Sequence, residues 1–209
     1  MAKVVFLGLG SNLGDRCAYL DQVLGRLAWH THIALCRVAS YYETEPIGFT
    51  QQGKFLNTAA EITTDLSPWA LLNYCRQIET SLKREPTIRW GPRTIDIDLL
   101  LYADNRSDHP GLHLPHSRLK QRAFVIYPLS EISASLTIEG IPLSVIKQRL
   151  SSKGVIRLAP HIGHYSRFGQ RAGSPSSLQI RSLTNAIISN AGCTRTRYCQ
   201  KKSYLGLKH

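Results

Sequence analysis

The spacing of apolar residues changes period several times along this chain. Val4–Gly8 is a short apolar run that reads as a buried first strand. The stretch Gly8-Leu9-Gly10-Ser11-Asn12-Leu13-Gly14-Asp15 reads as a tight turn, rich in residues that tolerate unusual dihedrals. From about Asp15 to Ala28 the spacing becomes helical, with Leu20, Val23, Leu24 and Leu27 on one face. Ile33–Glu43 reads as one long second strand, Thr44–Lys54 as a polar loop, and Phe55–Thr63 as a third strand. Ser67 and Pro68 suit the cap and first position of a second helix. That helix is expected to run to about Arg84, and Pro86 ends it. A strand over about Thr94–Tyr102 follows, then a loop over Ala103–Pro115. Ala123–Leu129 and Ile141–Leu150 are later apolar segments.

The resulting order is β-α-β-β-α-β. It predicts an α+β fold with a ferredoxin-like core, an antiparallel sheet with helices packed on one face. The 209 residues suit one domain over 1–160 with an extension over 161–209. Hydrophobic residues make up 43% of the chain, enough for a core, and no apolar run approaches a membrane span. The N-terminus lacks a secretory pattern, so a cytoplasmic location and no membrane contact are expected. The five cysteines are widely spread and read as reduced thiols. Charge is uneven. Residues 161–209 hold eight Lys and Arg and no Asp or Glu, leaving +4 of the net +12 for residues 1–160. This basic tail reads as a disordered, solvated extension, with a nucleic-acid or membrane contact as the functional alternative.

The strongest chemical signal is Arg89-Trp90-Gly91-Pro92-Arg93-Thr94-Ile95-Asp96-Ile97-Asp98-Leu99-Leu100-Leu101-Tyr102. Strand alternation points Asp96 and Asp98 to one face and Ile95, Ile97 and Leu99 to the other, with the two aspartate Cα atoms roughly 6.6 Å apart. Two like charges so close call for a cation, and magnesium sites use one or two carboxylates plus substrate phosphates. A pair of solvated carboxylates is the alternative, and Leu99-Leu100-Leu101 directly after them argues against it. Arg89 and Arg93 suit phosphate oxygens. Phosphoryl or pyrophosphoryl transfer follows.

Other residues carry two readings each. Gly10-Ser11-Asn12 reads first as a structural turn and second as a phosphate cradle, without the P-loop pattern. His116, ahead of Arg118, Lys120 and Arg122, is either an acid or phosphate donor or an ordinary exposed histidine. Phe55 and Phe124 are either core residues or walls for a planar ligand, and Trp90 shares that ambiguity.

The long aspartate motif resembles the signature of the 6-hydroxymethyl-7,8-dihydropterin pyrophosphokinase family. The resemblance extends to Gly8–Asp15, Tyr42–Gly48, Phe55-Leu56-Asn57, Ile78-Glu79, Pro115-His116, Arg122-Ala123-Phe124 and Pro128-Leu129. It covers roughly residues 3–150. It implies transfer of pyrophosphate from ATP to the pterin hydroxymethyl group in folate biosynthesis, giving AMP, with two magnesium ions on Asp96 and Asp98. It further implies Arg84 and Arg93 in catalysis. Glu79, Arg84, Trp90, Arg93, His116 and Arg122 would meet ATP. Thr44, Pro46, Ile47, Phe55, Asn57, Trp90 and Phe124 would meet the pterin, stacked between Phe55 and Phe124. The substrates are small molecules and a monomer is expected.

Three departures from the family pattern stand out. Leu82-Lys83-Arg84-Glu85-Pro86 lacks the second arginine often found there, Ser117 replaces a larger residue, and Phe55 stands where Tyr is more usual. Activity is expected to survive these departures, at the cost of weaker ATP binding or slower turnover. Two other functions keep some support. A nucleotidyltransferase would release pyrophosphate, and a nucleic-acid-binding protein on a decayed enzyme core would use the basic tail.

Overall fold

The computed structural model describes residues 1–158, apart from Pro86, Thr87 and Arg89. The tail over 161–209 and the signature residue Arg89 lie outside the described residues. The chain runs β1 (Lys3–Ser11), α1 (Arg16–Trp29), β2 (Ile33–Val38), β3 (Tyr42–Thr44), β4 (Phe55–Thr64), α2 (Pro68–Ser81) and β5 (Asp96–Tyr102). After these come a hairpin of β6 (Ser107–His109) and β7 (Leu112–Leu114), a short 3-10 turn and α3 (Ala123–Ile132). The chain continues with β8 (Thr137–Ile138), β9 (Ile141–Pro142), α4 (Leu143–Arg149) and β10 (Val155–Arg157).

The main sheet has the order β10-β3-β4-β1-β5, with β2 also pairing β4, and every pairing is antiparallel. The expected long second strand is two strands. Val38 still pairs with Ala60, Tyr42 pairs with Asn57, and the chain leaves the ladder between them. Residues 39–41 bond elsewhere: Ala39 N donates to Ala59 O at 2.9 Å, and Thr58 Oγ1 donates to Ala39 O at 2.9 Å.

Both early helices start close to where the sequence places them, the second at its predicted cap. Asp15 accepts from Ala18 N at 3.0 Å, and Ser67 accepts from Ala70 N at 3.2 Å with Pro68 in the first turn. α2 stops at Ser81 rather than Arg84. Lys83 takes a left-handed φ of 59°, and Arg84 N folds back to Glu79 O at 3.0 Å.

Helices cover both faces of the sheet, not one. Val5, Leu7, Leu9, Leu56, Ile62, Ile97 and Leu99 pack with Leu20, Leu24 and Leu27 of α1 and Leu71, Cys75 and Ile78 of α2. On the other face Phe6, Ala59, Leu100 and Leu101 pack with Val125, Ile126 and Leu129 of α3 and Leu143 and Ile146 of α4. A bulge explains the Leu99-Leu100-Leu101 run. Leu7 opposes Leu99 while Phe6 opposes Leu101, so Leu100 is extra and two consecutive leucines reach the α3 side.

Candidate active site

The register of the central strands builds the site. Gly10 of β1 lies opposite Asn57 of β4 on one side and Asp96 of β5 on the other. One row therefore reads Asn57, Gly10, Asp96 across three strands, about 10 Å from first to last. The next row reads Ala59, Gly8, Asp98. Both rows face the α3 side. At Gly8 the room is taken, because Leu100 methyls stand 3.4 Å from where a Cβ would be. At Gly10 a Cβ would sit 2.7 Å from Asn57 Oδ1 and 3.9 Å from Phe55. Gly10 is thus the floor of a trough bordered by Asn57 and Phe55, with the carboxylates across it. The turn expected over Gly8–Asp15 is shorter: Gly8, Gly10 and Ser11 are strand residues, the bend falls at Leu13 and Gly14, and of the three glycines in that stretch only Gly14 has a positive φ, 60°.

The carboxylates are held by arginines. Asp96 accepts from Arg84 Nη2 at 2.8 Å and from Arg93 Nη1 at 2.9 Å. Asp98 accepts from Arg122 Nη1 at 2.8 Å. Glu79 pairs with the same Arg84 and also accepts from Ile97 N at 2.8 Å, which pins α2 to β5. Burial raises the Asp98 carboxyl above the ordinary aspartate range, and Asp96 pushes the same way against His116 and Arg122. Burial likewise raises Glu79, with Arg84 opposing. Burial lowers His116 despite Asp98. His116 Nδ1 accepts from Arg118 N at 3.2 Å, so the neutral ring carries its proton on Nε2, free to donate.

The polar end of the trough is equally directed. Asn57 Nδ2 donates to Thr44 Oγ1 at 2.7 Å, and both residues are buried. That bond leaves Asn57 Oδ1 as an acceptor over Gly10. Arg122 stands over the Phe124 ring at 5.5 Å, and Phe124 packs against the α3 core. Trp90, with φ of 63° and 43% exposed, lies against Gly48, where a side chain would collide with its ring. Arg118 stacks over Trp90 at 5.4 Å. Pro46 and Ile47 lie on the β3–β4 loop, outside the carboxylate–arginine cluster, and Ile47 is exposed.

Gln52 and Arg16 escaped sequence reasoning, and Asn12 was read only as part of the Gly10-Ser11-Asn12 turn or cradle. Asn12 Oδ1 accepts from Arg93 N at 2.7 Å, and Asn12 N donates to Arg93 O at 3.1 Å. Its Nδ2 donates to Gln52 Oε1 at 2.8 Å, and Gln52 Nε2 donates to Trp90 O at 2.8 Å. Arg16 Nη1 donates to Lys54 O at 2.8 Å and its Nη2 pairs with Glu43 at 3.1 Å. Asn12, Gln52 and Arg16 fasten three loops around the trough. The polar character of the 44–54 segment was the visible signal for Gln52, and the Gly8–Asp15 motif the one for Asn12.

The family model for 7,8-dihydro-6-hydroxymethylpterin-pyrophosphokinase matches residues 6–134. The chain belongs to this family. A pyrophosphokinase of that name from Bacillus subtilis is 44% identical over 132 residues, 63% of this chain and 79% of the relative. One from Methylorubrum extorquens is 41% identical over 153 residues, 73% of this chain and 97% of the relative. The fold matches a crystal structure of HPPK-DHPS in complex with substrates, with a TM-score of 0.56 at 13% identity, over 71% of this chain and 43% of that one. The Plasmodium falciparum HPPK-DHPS wild type with pteroate gives a TM-score of 0.57 at 12% identity, over 71% of this chain and 42% of that one. The chain is therefore a pyrophosphokinase-family transferase of folate biosynthesis, on the mixed α/β fold of its relatives. Among the described residues no helix is long and apolar enough to cross a membrane. Every candidate site residue, from Thr44 to Phe124, falls inside the matched span, and β10 falls outside it.

Proposed function

We propose that the protein transfers pyrophosphate from ATP to the hydroxymethyl oxygen of 6-hydroxymethyl-7,8-dihydropterin, giving AMP and the pterin diphosphate. The observation that carries this reading is the row Asn57–Gly10–Asp96, an acceptor for ring N–H groups facing a carboxylate–arginine cluster across a bare glycine. The pterin is assigned to the trough, on Asn57 Oδ1 and Thr44, against the Phe55 and Phe124 rings, with Pro46, Ile47 and Trp90 contributing from the loops. The ATP phosphates are assigned to Arg84, Arg93, His116 and Arg122, with Glu79 setting the angle of Arg84.

Among the described residues no cluster of three or more His, Cys, Asp or Glu could hold a metal. Two carboxylates with hard oxygen donors instead suit magnesium, which takes a few protein oxygens and completes its shell with substrate phosphates and water. Asp96 and Asp98 would hold it, as two ions; bound there it would neutralise phosphate charge and align the two oxygens that exchange phosphorus. The protein's own work is positional. Arg84 and Arg93 hold Asp96, and Arg122 holds Asp98, so the carboxylates keep their face before substrate arrives. Each guanidinium keeps further N–H donors for phosphate oxygens. His116 offers Nε2–H to a phosphate oxygen. Gln52 and Asn12 tie Trp90 to the carboxylate side, so the two loops shut together and exclude water.

The test is product analysis with ATP, magnesium and the hydroxymethyl pterin. AMP as the nucleotide product supports the reading. ADP points to single phosphoryl transfer, and free pyrophosphate with nucleotidylated pterin to nucleotidyl transfer; either would refute it. Catalysis is assigned to the domain over 1–160 of a monomer. AMP formation should therefore survive removal of 161–209, and a chain that loses activity on that cut would refute the assignment.

A further inference from the structure

β10 has three residues, and Ile156 at its centre is 52% exposed. A ladder this short holds poorly by itself. It nevertheless flanks β3 on the side away from β4, with Val155 opposite Thr44, Ile156 opposite Glu43 and Arg157 opposite Tyr42. Glu45 N donates to Gly154 O at 3.2 Å just before it, and Leu158 N donates to Tyr41 O at 2.8 Å just after it. Thr44, whose hydroxyl accepts from Asn57, therefore has β4 on one side and β10 on the other.

One carboxylate anchors this arrangement. Glu131 of α3 accepts from Ser40 N at 3.2 Å, Ser40 Oγ at 2.7 Å, Tyr42 OH at 2.8 Å and Arg157 Nη2 at 2.9 Å. Arg157 Nε also donates to Ser40 Oγ at 3.2 Å. The break between β2 and β3, the strand β3 and the strand β10 thus meet at a single side chain of α3. Burial opposes the charge on Glu131, but hydrogen bonds from Arg157, Ser40 and Tyr42 hold its carboxyl below the ordinary range. Burial and the bond to Glu131 push the Tyr42 phenol up to about 12, so it stays a donor.

We propose that Arg157 is a positioning residue for the pterin: through Glu131 it holds β10 against β3, and so holds Thr44 and the start of the 45–54 loop where Asn57 needs them. The inference rests on the pterin reading of the Gly10 trough. The effect is one-sided. Asp96 and Asp98 belong to β5, on the far side of β1, and pair with Arg84, Arg93 and Arg122, whereas Glu131 pairs with Arg157. Loss of the anchor frees the loop and leaves the carboxylate cluster intact.

The test uses the full chain as wild type, Arg157→Ala and Arg157→Lys. Arg157→Ala should raise the KM for the hydroxymethyl pterin about fivefold, with kcat and the KM for ATP changed less than about twofold. Arg157→Lys should recover most of that loss. Amide hydrogen exchange of Arg157→Ala should quicken over residues 41–54 and stay unchanged over 96–102. Equal rises in both KM values, a fall in kcat alone, or unchanged exchange over 41–54 would overturn the proposal. A wild-type chain that forms no AMP would strike the pterin reading instead, and the exchange measurement would still decide whether Arg157 holds the loop.

Discussion

The two faces of β1 divide the labour of the molecule. Val5, Leu7 and Leu9 are all but fully buried under α1 and α2. Phe6, Gly8 and Gly10 face the other way, and their side chains shrink along the strand. Phe6 packs under α3, Gly8 makes room for Leu100, and Gly10 is left bare between Asn57 and Asp96. One strand therefore supplies stability with its odd residues and a substrate trough with its even ones. Strand alternation allows the two roles to coexist, because a change on one face need not disturb the other.

Substitutions on either side can break this division. The largest effect is expected from Asp98→Ala, which should lower AMP formation on the order of a thousandfold while the thermal melt moves little. A variant with near-normal turnover would remove the carboxylates from the reaction. On the odd face, Leu7→Ala should cost about 2–5 kcal/mol in denaturant unfolding. Its kcat and both KM values, measured well below the melt, should match wild type; a selective kinetic defect would show that the faces are coupled. Gly10→Ala reverses that pattern. It should keep the fold and raise the pterin KM about tenfold or more, since the methyl meets Asn57 Oδ1 at 2.7 Å. Unchanged pterin binding in that variant would mean that the trough holds something else.

The smallest effect concerns pH. The Glu131 carboxyl is held below its ordinary range, so its stabilisation is complete above the unfolded pKa, about 4.3. It fades as pH falls through the lower folded value. The stability gap between wild type and Glu131→Gln should therefore be full at neutral pH and close toward acid in thermal melts. A gap that widens toward acid would contradict the reading.

Much of this was legible in the chain. Asp96 and Asp98 declared themselves because alternation is a local rule, α1 because its apolar spacing is local, and α2 because its cap and spacing are local too. Gly10 did not declare its role. Only its pairing with Asn57, 47 residues on, and Asp96, 86 residues on, turns a bare strand position into a floor. The gap at residues 39–41 was hidden for a similar reason. Ala39 and Ser40 leave the ladder to reach Ala59 and Glu131, partners far away in sequence. The hairpin over 107–114 was too short and polar to show a period. The second helical face was missed because α3 is apolar nearly all round and carries Pro128 inside, so its spacing gave no direction. The arginine partners of Asp96 could be anticipated from the family resemblance, but Gln52 carries no motif of its own, and the motif around Asn12 did not show that its side chain would tie Arg93 to Gln52.

The central claim is that the bare row at Gly10 seats the pterin and the aspartate pair seats the metal-bound phosphates. A crystal structure with magnesium, an ATP analogue carrying a methylene between the α- and β-phosphorus, and the hydroxymethyl pterin tests it most directly. The pterin ring should lie over Gly10 with an N–H on Asn57 Oδ1, and metal density should touch both Asp96 and Asp98. A pterin bound away from the Gly10 row, or metal density that touches neither Asp96 nor Asp98, would contradict the account.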